Sequence, residues 1–306
     1  MVSNPVKHLH PSLQLLILVA ITIGVVLVGN IIGMAVVMAF YGLEMVTNIA
    51  QLNLSAPGTV NALWILQILG TTLPLLITPM VFSLAVVKQP AEYLKPSFKF
   101  PWMLLVIVFC VMMVSSPVIE FLSRINQNMA LPDYLSGVQK WMRDSEDKAE
   151  KLIGVLLKMD TVLGAIANVI AVGLFTAIVE ELMFRGCVQT IFVKWTGNVH
   201  AAVWITGILF SAFHMEFFGF LPRLFLGVLF GYFTAWSGSV WPAVWAHFLN
   251  NGTAVVAVYL YQHKLVKIDP NSNQIFKYPA YAVSFIIVLF LLFLYNKVAK
   301  TEKTAP

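Results

Sequence analysis

Eight stretches of this chain are apolar over roughly the length a helix needs to cross a bilayer, about 20 residues. They run approximately over 13–41, 59–87, 101–122, 161–196, 199–219, 222–237, 240–262 and 279–297. A backbone in lipid must satisfy its own polar groups, so such runs are expected to fold as helices. The chain of 306 residues is 59% hydrophobic and 11% charged. Soluble domains hold about 45–50% and about 25%, so a soluble class does not fit. The expected fold is all-α: a polytopic membrane protein of about eight transmembrane helices in one bundle within the lipid bilayer. The first run is too long for the apolar part of a signal peptide and reads as a retained helix.

Three parts are expected along the chain. Residues 1–160 hold three transmembrane helices and an amphipathic insertion, 161–262 the core helices with the polar groups, and 263–306 the final helix and a basic tail. The insertion, about 123–160, places Leu135, Val138, Trp141, Met142, Ala149, Leu152, Ile153 and Leu156 at helical spacing with charges between them. That pattern predicts an amphipathic helix or helix pair that caps the bundle or lies at the interface. Lys88, Lys95 and Lys99 in one loop and Lys297, Lys300 and Lys303 in the tail, against no Lys or Arg over 42–58, predict both termini inside. Lys264, Lys267 and Lys277 run against that orientation. For a bacterial chain the location would be the inner, plasma membrane, with cytoplasmic termini. The net charge of +5 comes without a basic stripe interleaved with aromatics, so no nucleic-acid partner is expected. Cys110 and Cys187 lack the spacing of a disulfide framework.

Ionisable side chains inside membrane helices cost a few kcal/mol each even on the lenient scale, and they tend to mark function. Here ionisable and amide side chains gather in one half: Glu180, Glu181, Arg185, His214, Glu216, Arg223, His247, Asn250 and Asn251. Glu181 and Arg185 are four apart and share a helix face, so they are expected to pair. Glu180 is turned by about 100° and stays free. Phe210 and His214 share a face, as do His247 and Asn251, while Asn250 points elsewhere. Glu180 precedes Gly197 by about as many residues as His214 follows Asn198, so an antiparallel pair would hold them at one depth. His247 and Asn251 follow Val240 closely and need a deeper start or a tilted helix to reach that level. Glu216 with Arg223 reads as an anchor pair or a cavity mouth, and Glu120 as an interfacial residue. Gly227 and Gly231 allow close helix approach.

A carboxylate, two imidazoles and an amide in a low-dielectric cavity can hold a water, deprotonate it and stabilise the oxyanion formed at a carbonyl. Glu180 would be the base and His214 would share the water or carry the proton. His247 and Asn251 would donate to the oxyanion. The competing version places a divalent metal such as zinc on Glu, His and His, although the helical HExxH motif is absent.

The motifs EExxxR (Glu180, Glu181, Arg185), FxxxH (Phe210, His214) and HxxxN (His247, Asn251), in that order on separate helices, resemble the CPBP family of intramembrane proteases. That family includes the eukaryotic CAAX prenyl endopeptidase, bacteriocin-processing or immunity proteins and Abi proteins. The resemblance covers about 160–262. It implies an eight-helix bundle, a cavity open to the cytosolic side and a glutamate-dependent endopeptidase, often labelled a metalloprotease. By the motif, Glu180 and His214 would activate water, His247 and Asn251 would form the oxyanion site, and Glu181 and Arg185 would support them. The substrate would be a membrane-associated protein or peptide. A non-catalytic immunity or binding protein on the same scaffold is the alternative. A transporter ranks below both, because no broken helices recur in matching halves.

Overall fold

A computed structural model gives the fold of residues 9–303, apart from 271, 273 and 274. His8 and the extreme chain ends lie outside the described residues. The described residues are helical with no strand. The long helices are α1 (Pro11–Tyr41), followed by the short α2 (Leu43–Ala50), then α3 (Thr59–Val86), the short α4 (Pro90–Leu94) and α5 (Met103–Gln127). Next come α6 (Ser136–Leu156), α7 (Val162–Thr196), α8 (Val199–Phe213), α9 (Phe220–Ser237), α10 (Trp241–Gln262) and α11 (Tyr278–Lys303).

The eight apolar runs thus each become a helix, and the chain is an all-α polytopic membrane bundle. Among the described residues, six helices are long and apolar enough to cross a bilayer. α8 is a shorter apolar helix of 15 residues, about 22 Å at the α-helical rise. α10 has the length but carries His247, Asn250 and Asn251 in its middle. The run expected to continue to 219 stops at Phe213, because Met215 takes a positive φ of 54° and Gly219 precedes the next helix.

Local chemistry sets the ends. The Thr161 side chain accepts from the Gly164 N–H at the start of α7, and the Asn198 side chain accepts from His200 and Ala201 at the start of α8, satisfying N–H groups that a helix leaves open. Gly197, at φ 64°, closes α7 in the left-handed region. The two-residue hinge at 197–198 therefore folds α8 back along α7.

Two apolar cores divide the bundle. One draws on α5, α9, α10 and α11, centred on Leu104, Phe230, Phe233 and Tyr295. The other draws on α1, α3, α4, α7 and α8, centred on Leu18, Phe82, Tyr93 and Ile191. α7 and α10 meet along the seam between them through Ala177, Val240 and Val244. Glycines permit the closest crossings. A Cβ at Gly227 of α9 would lie 3.1 Å from the Gly207 Cα of α8, and one at Gly231 would lie 2.8 Å from Val203, which is the close approach the spacing of the two glycines implies.

Glu120 is more than interfacial. It is buried in α5, and its carboxylate accepts from the backbone N–H of Ile275 and Phe276 and from the Tyr281 hydroxyl. It ties the connection before α11 to α5. Cys110 and Cys187 are both free thiols.

Candidate active site

Glu180 and Glu181 lie on α7 between two π-helical segments, 169–175 and 182–188. Such widened turns recur at functional sites because they shift the register of the following side chains. Arg185 is fully buried, and its Nη1 donates to Glu181 Oε1 at 2.9 Å. Its Nη2 donates to the Gly227 carbonyl on α9 at 3.0 Å, and the guanidinium sits over the Phe210 ring at 4.3 Å. The expected ion pair is present. Spacing alone does not reveal its second partner: Glu181 Oε1 is also 2.8 Å from His247 Nδ1. Glu181 therefore ties α7 to α10 as well as to its own next turn.

His214 caps the end of α8, where its Nδ1 lies 2.8 Å from the Phe210 carbonyl. A carbonyl can only accept, so Nδ1 carries the proton and Nε2 is left to face the cavity. His247 is held between Glu181 and the Phe230 ring, which stacks on it at 5.1 Å with planes 22° apart. The two free Nε2 atoms converge on one atom, Glu180 Oε2, at 3.8 Å from His214 and 3.9 Å from His247. Both separations exceed a hydrogen bond. That oxygen is buried and has no hydrogen-bond partner among the described residues.

Asn251 lines the same cavity. Its Nδ2 reaches the Val172 carbonyl at 3.4 Å, and its Oδ1 accepts from Asn250 Nδ2 at 3.1 Å. Asn250, expected to point elsewhere, lines the cavity too; the side-chain bond between the two amides brings it in.

The position of His247 is set by the turn before α10. Ser239 and Val240 are buried. The Val240 N–H donates to the Lys95 carbonyl at 3.1 Å, the Ser239 hydroxyl to the Ser97 carbonyl at 2.6 Å and the Trp241 indole to the Pro96 carbonyl at 2.9 Å. Lys95 in turn donates to Thr190 and to the Arg185 carbonyl on α7. The loop at 95–97 thus holds the turn inside the bundle. No feature of the sequence pattern at 95–97 announces this.

The cavity has a volume of about 750 Å³. Besides the polar groups, its walls are apolar, with Trp64, Ile68 and Leu73 from α3 and Ile170 and Phe175 from α7. α6 contributes Ile153 and Leu156 to the lining. Glu146 accepts from the Phe218 N–H at 2.7 Å, the Arg143 guanidinium lies 3.2 Å from the Phe218 ring centre, and Trp141 packs on Phe217. Burial pushes the Glu146 carboxyl above the usual carboxylate range, with the Phe218 bond opposing the shift. Glu216 and Arg223 form an ion pair on the cavity wall.

A zinc ion fits these residues poorly as placed. Tetrahedral zinc with bonds of about 2.0–2.1 Å sets its ligands about 3.3 Å apart, closer than either imidazole stands to Glu180. No group of three His, Cys, Asp or Glu among the described residues is arranged to hold a metal ion.

Residues 162–253 match the family model described as type II CAAX prenyl endopeptidase Rce1-like. The matched segment contains all seven motif residues and begins with α7. No curated protein and no solved structure matches the chain.

Proposed function

We propose, from the premise that residues 162–253 belong to the CPBP/CAAX protease family, that this integral membrane protease is a glutamate-dependent endopeptidase acting on a membrane-associated protein or peptide. The observation that carries the proposal is the convergence of two imidazole Nε2 atoms on the unpartnered Glu180 Oε2. Distances of 3.8 and 3.9 Å suit groups that share a water, since they are too long for direct bonds.

In the proposed reaction Glu180 takes a proton from that water while its oxygen adds to the scissile carbonyl. His214, with its proton on Nδ1, accepts the water's second hydrogen at Nε2 and so aims the attack. The tetrahedral oxyanion is met by the Asn251 amide and by His247. To donate from Nε2, His247 must carry both ring protons, and Glu181 accepts from its Nδ1. Collapse breaks the C–N bond, and the proton held by Glu180 passes to the leaving amine, directly or through His214. Each atom of the water ends in the two products.

The Glu181–Arg185 pair supports this chemistry by fixing His247. Loops rich in lysine at 88–99 and in the tail support a cytoplasmic position for both termini. Comparative membrane proteomics of wild type against Glu180→Ala tests the reading: fragments present in wild type should be replaced by uncleaved precursor. Cleavage that persists at the wild-type rate in Glu180→Ala refutes it. A biological effect that survives both Glu180→Gln and His214→Ala would instead favour the non-catalytic binding protein.

A further inference from the structure

The catalytic reading uses one end of the cavity wall and leaves unexplained the ion pair beside it. Arg223 stands in the first turn of α9, and Glu216 lies two residues beyond His214. Both side chains are about a quarter exposed, and both line the cavity that holds Glu180. Arg223 is the one Lys or Arg among the described residues of that lining. Its guanidinium folds back over the turn at 217–219, where a Cβ on Gly219 would collide with it. The glycine thus leaves room for the cation to stay at the wall. For stability alone such a pair has little to recommend it, because apolar residues of similar volume usually do as well in a low-dielectric setting.

We infer that Arg223 is the specificity-determining anchor for a carboxylate on the substrate segment that lies on the Glu216 side of the scissile bond. The inference rests on the proposed endopeptidase reading. A guanidinium binds a carboxylate through two parallel N–H bonds. Glu216 already places one carboxylate oxygen on this guanidinium, at Nη2. Glu216 is then the internal stand-in that an incoming carboxylate displaces. The carboxylate could be a chain terminus or an acidic side chain, and the chemistry at Arg223 is the same for both.

The anchor predicts effects of opposite sign from the two halves of one ion pair. The test measures binding to the Glu180→Ala protein, so that it does not depend on turnover. The probe is a short apolar fluorescein-labelled peptide in three versions: free C-terminal carboxylate, C-terminal amide, and C-terminal amide with one aspartate. Arg223→Gln should weaken the carboxylate version by about 10- to 100-fold, the range for a charge-assisted hydrogen bond, and leave the plain amide unchanged. Glu216→Gln removes the competitor and should tighten the carboxylate version severalfold. Arg223→Lys, which keeps the charge but not the fork, should fall between. Equal affinity for the aspartate version identifies a side-chain source, and preference for the free terminus identifies a chain end; either supports the anchor. The anchor is overturned if carboxylate and amide bind equally, if Arg223→Gln and Glu216→Gln weaken binding alike, or if no version binds. A wild type that cleaves nothing while the E180A protein still discriminates carboxylate from amide would count against the endopeptidase reading and leave the anchor standing.

Discussion

Replacing Glu181 with Gln should damage the protein in two separable ways. Arg185 is fully buried, and Glu181 supplies its one carboxylate within ion-pair distance among the described residues. Removing one partner of such a pair leaves an uncompensated charge in a low-dielectric interior and costs about 3–5 kcal/mol. The Gly227 carbonyl and the Phe210 ring remain to Arg185, so the lower part of that range is expected. At about 2 °C per kcal/mol for a chain of this size, Glu181→Gln should melt about 6–8 °C below wild type in a detergent thermal-shift assay. The double variant Glu181→Leu with Arg185→Met removes the stranded charge and should regain most of that loss, because an apolar pair of similar volume is often neutral or better. Activity should not return with stability. His247 would have lost the carboxylate on Nδ1, and losing an oriented oxyanion donor costs about 10²–10³-fold in turnover. A Glu181→Gln protein that melts within about 1 °C of wild type would refute the argument for stability. A stable double variant with full activity would refute the role assigned to the bond between Glu181 and His247.

Glu180→Ala should abolish turnover while leaving the melting temperature at or above that of wild type, since it removes a buried oxygen that has no partner; a large fall in melting temperature would mark Glu180 as structural. Gly186→Ala should destabilise the bundle by about 1–3 kcal/mol, because its Cβ would come within 2.6 Å of the Tyr93 carbonyl where α4 crosses α7; thermal shift reads this out. Burial lowers the Lys95 amine to about 8, below its value of about 10.4 in an unfolded chain. The unfolded state then binds more protons between those values, so stability should rise as pH goes from about 8 to about 10.4, and Lys95→Met should lose that rise in a pH series of melts. Glu146 on α6 has its carboxyl raised by burial, with Glu216 adding to the shift and Arg143 and Arg223 opposing it. Seating of α6 should therefore strengthen as pH falls into the carboxylate range, and Glu146→Gln, which keeps an acceptor for the Phe218 N–H, should remove that dependence in hydrogen exchange of residues 217–219.

The helices were legible in the sequence because lipid imposes one rule on every long apolar run, and the hinge at Gly197–Asn198 was legible because a glycine and an N-cap stand side by side. The pairing of Glu181 with Arg185 followed from helical spacing, and the common depth of Glu180 and His214 from counting residues to the hinge. What spacing could not supply was anything between helices that are distant along the chain. The bond from Glu181 to His247 joins residues 66 apart. The turn before His247 is set by Lys95, Pro96 and Ser97, roughly 140 residues upstream. Helix angle turns the amides at 250 and 251 apart, and their mutual bond overrides it. Glu120 reads as interfacial in the sequence because its partners, Ile275, Phe276 and Tyr281, lie some 155 residues or more downstream.

Arg185 and Gln189 both reach from α7 to backbone carbonyls of α9, at Gly227 and Gly231. Two such bonds one helical turn apart act like rivets on a plate. α9 cannot roll about its own axis without breaking both, and the glycines that expose those carbonyls also seat it against α8. That flank of the bundle is a fixed wall.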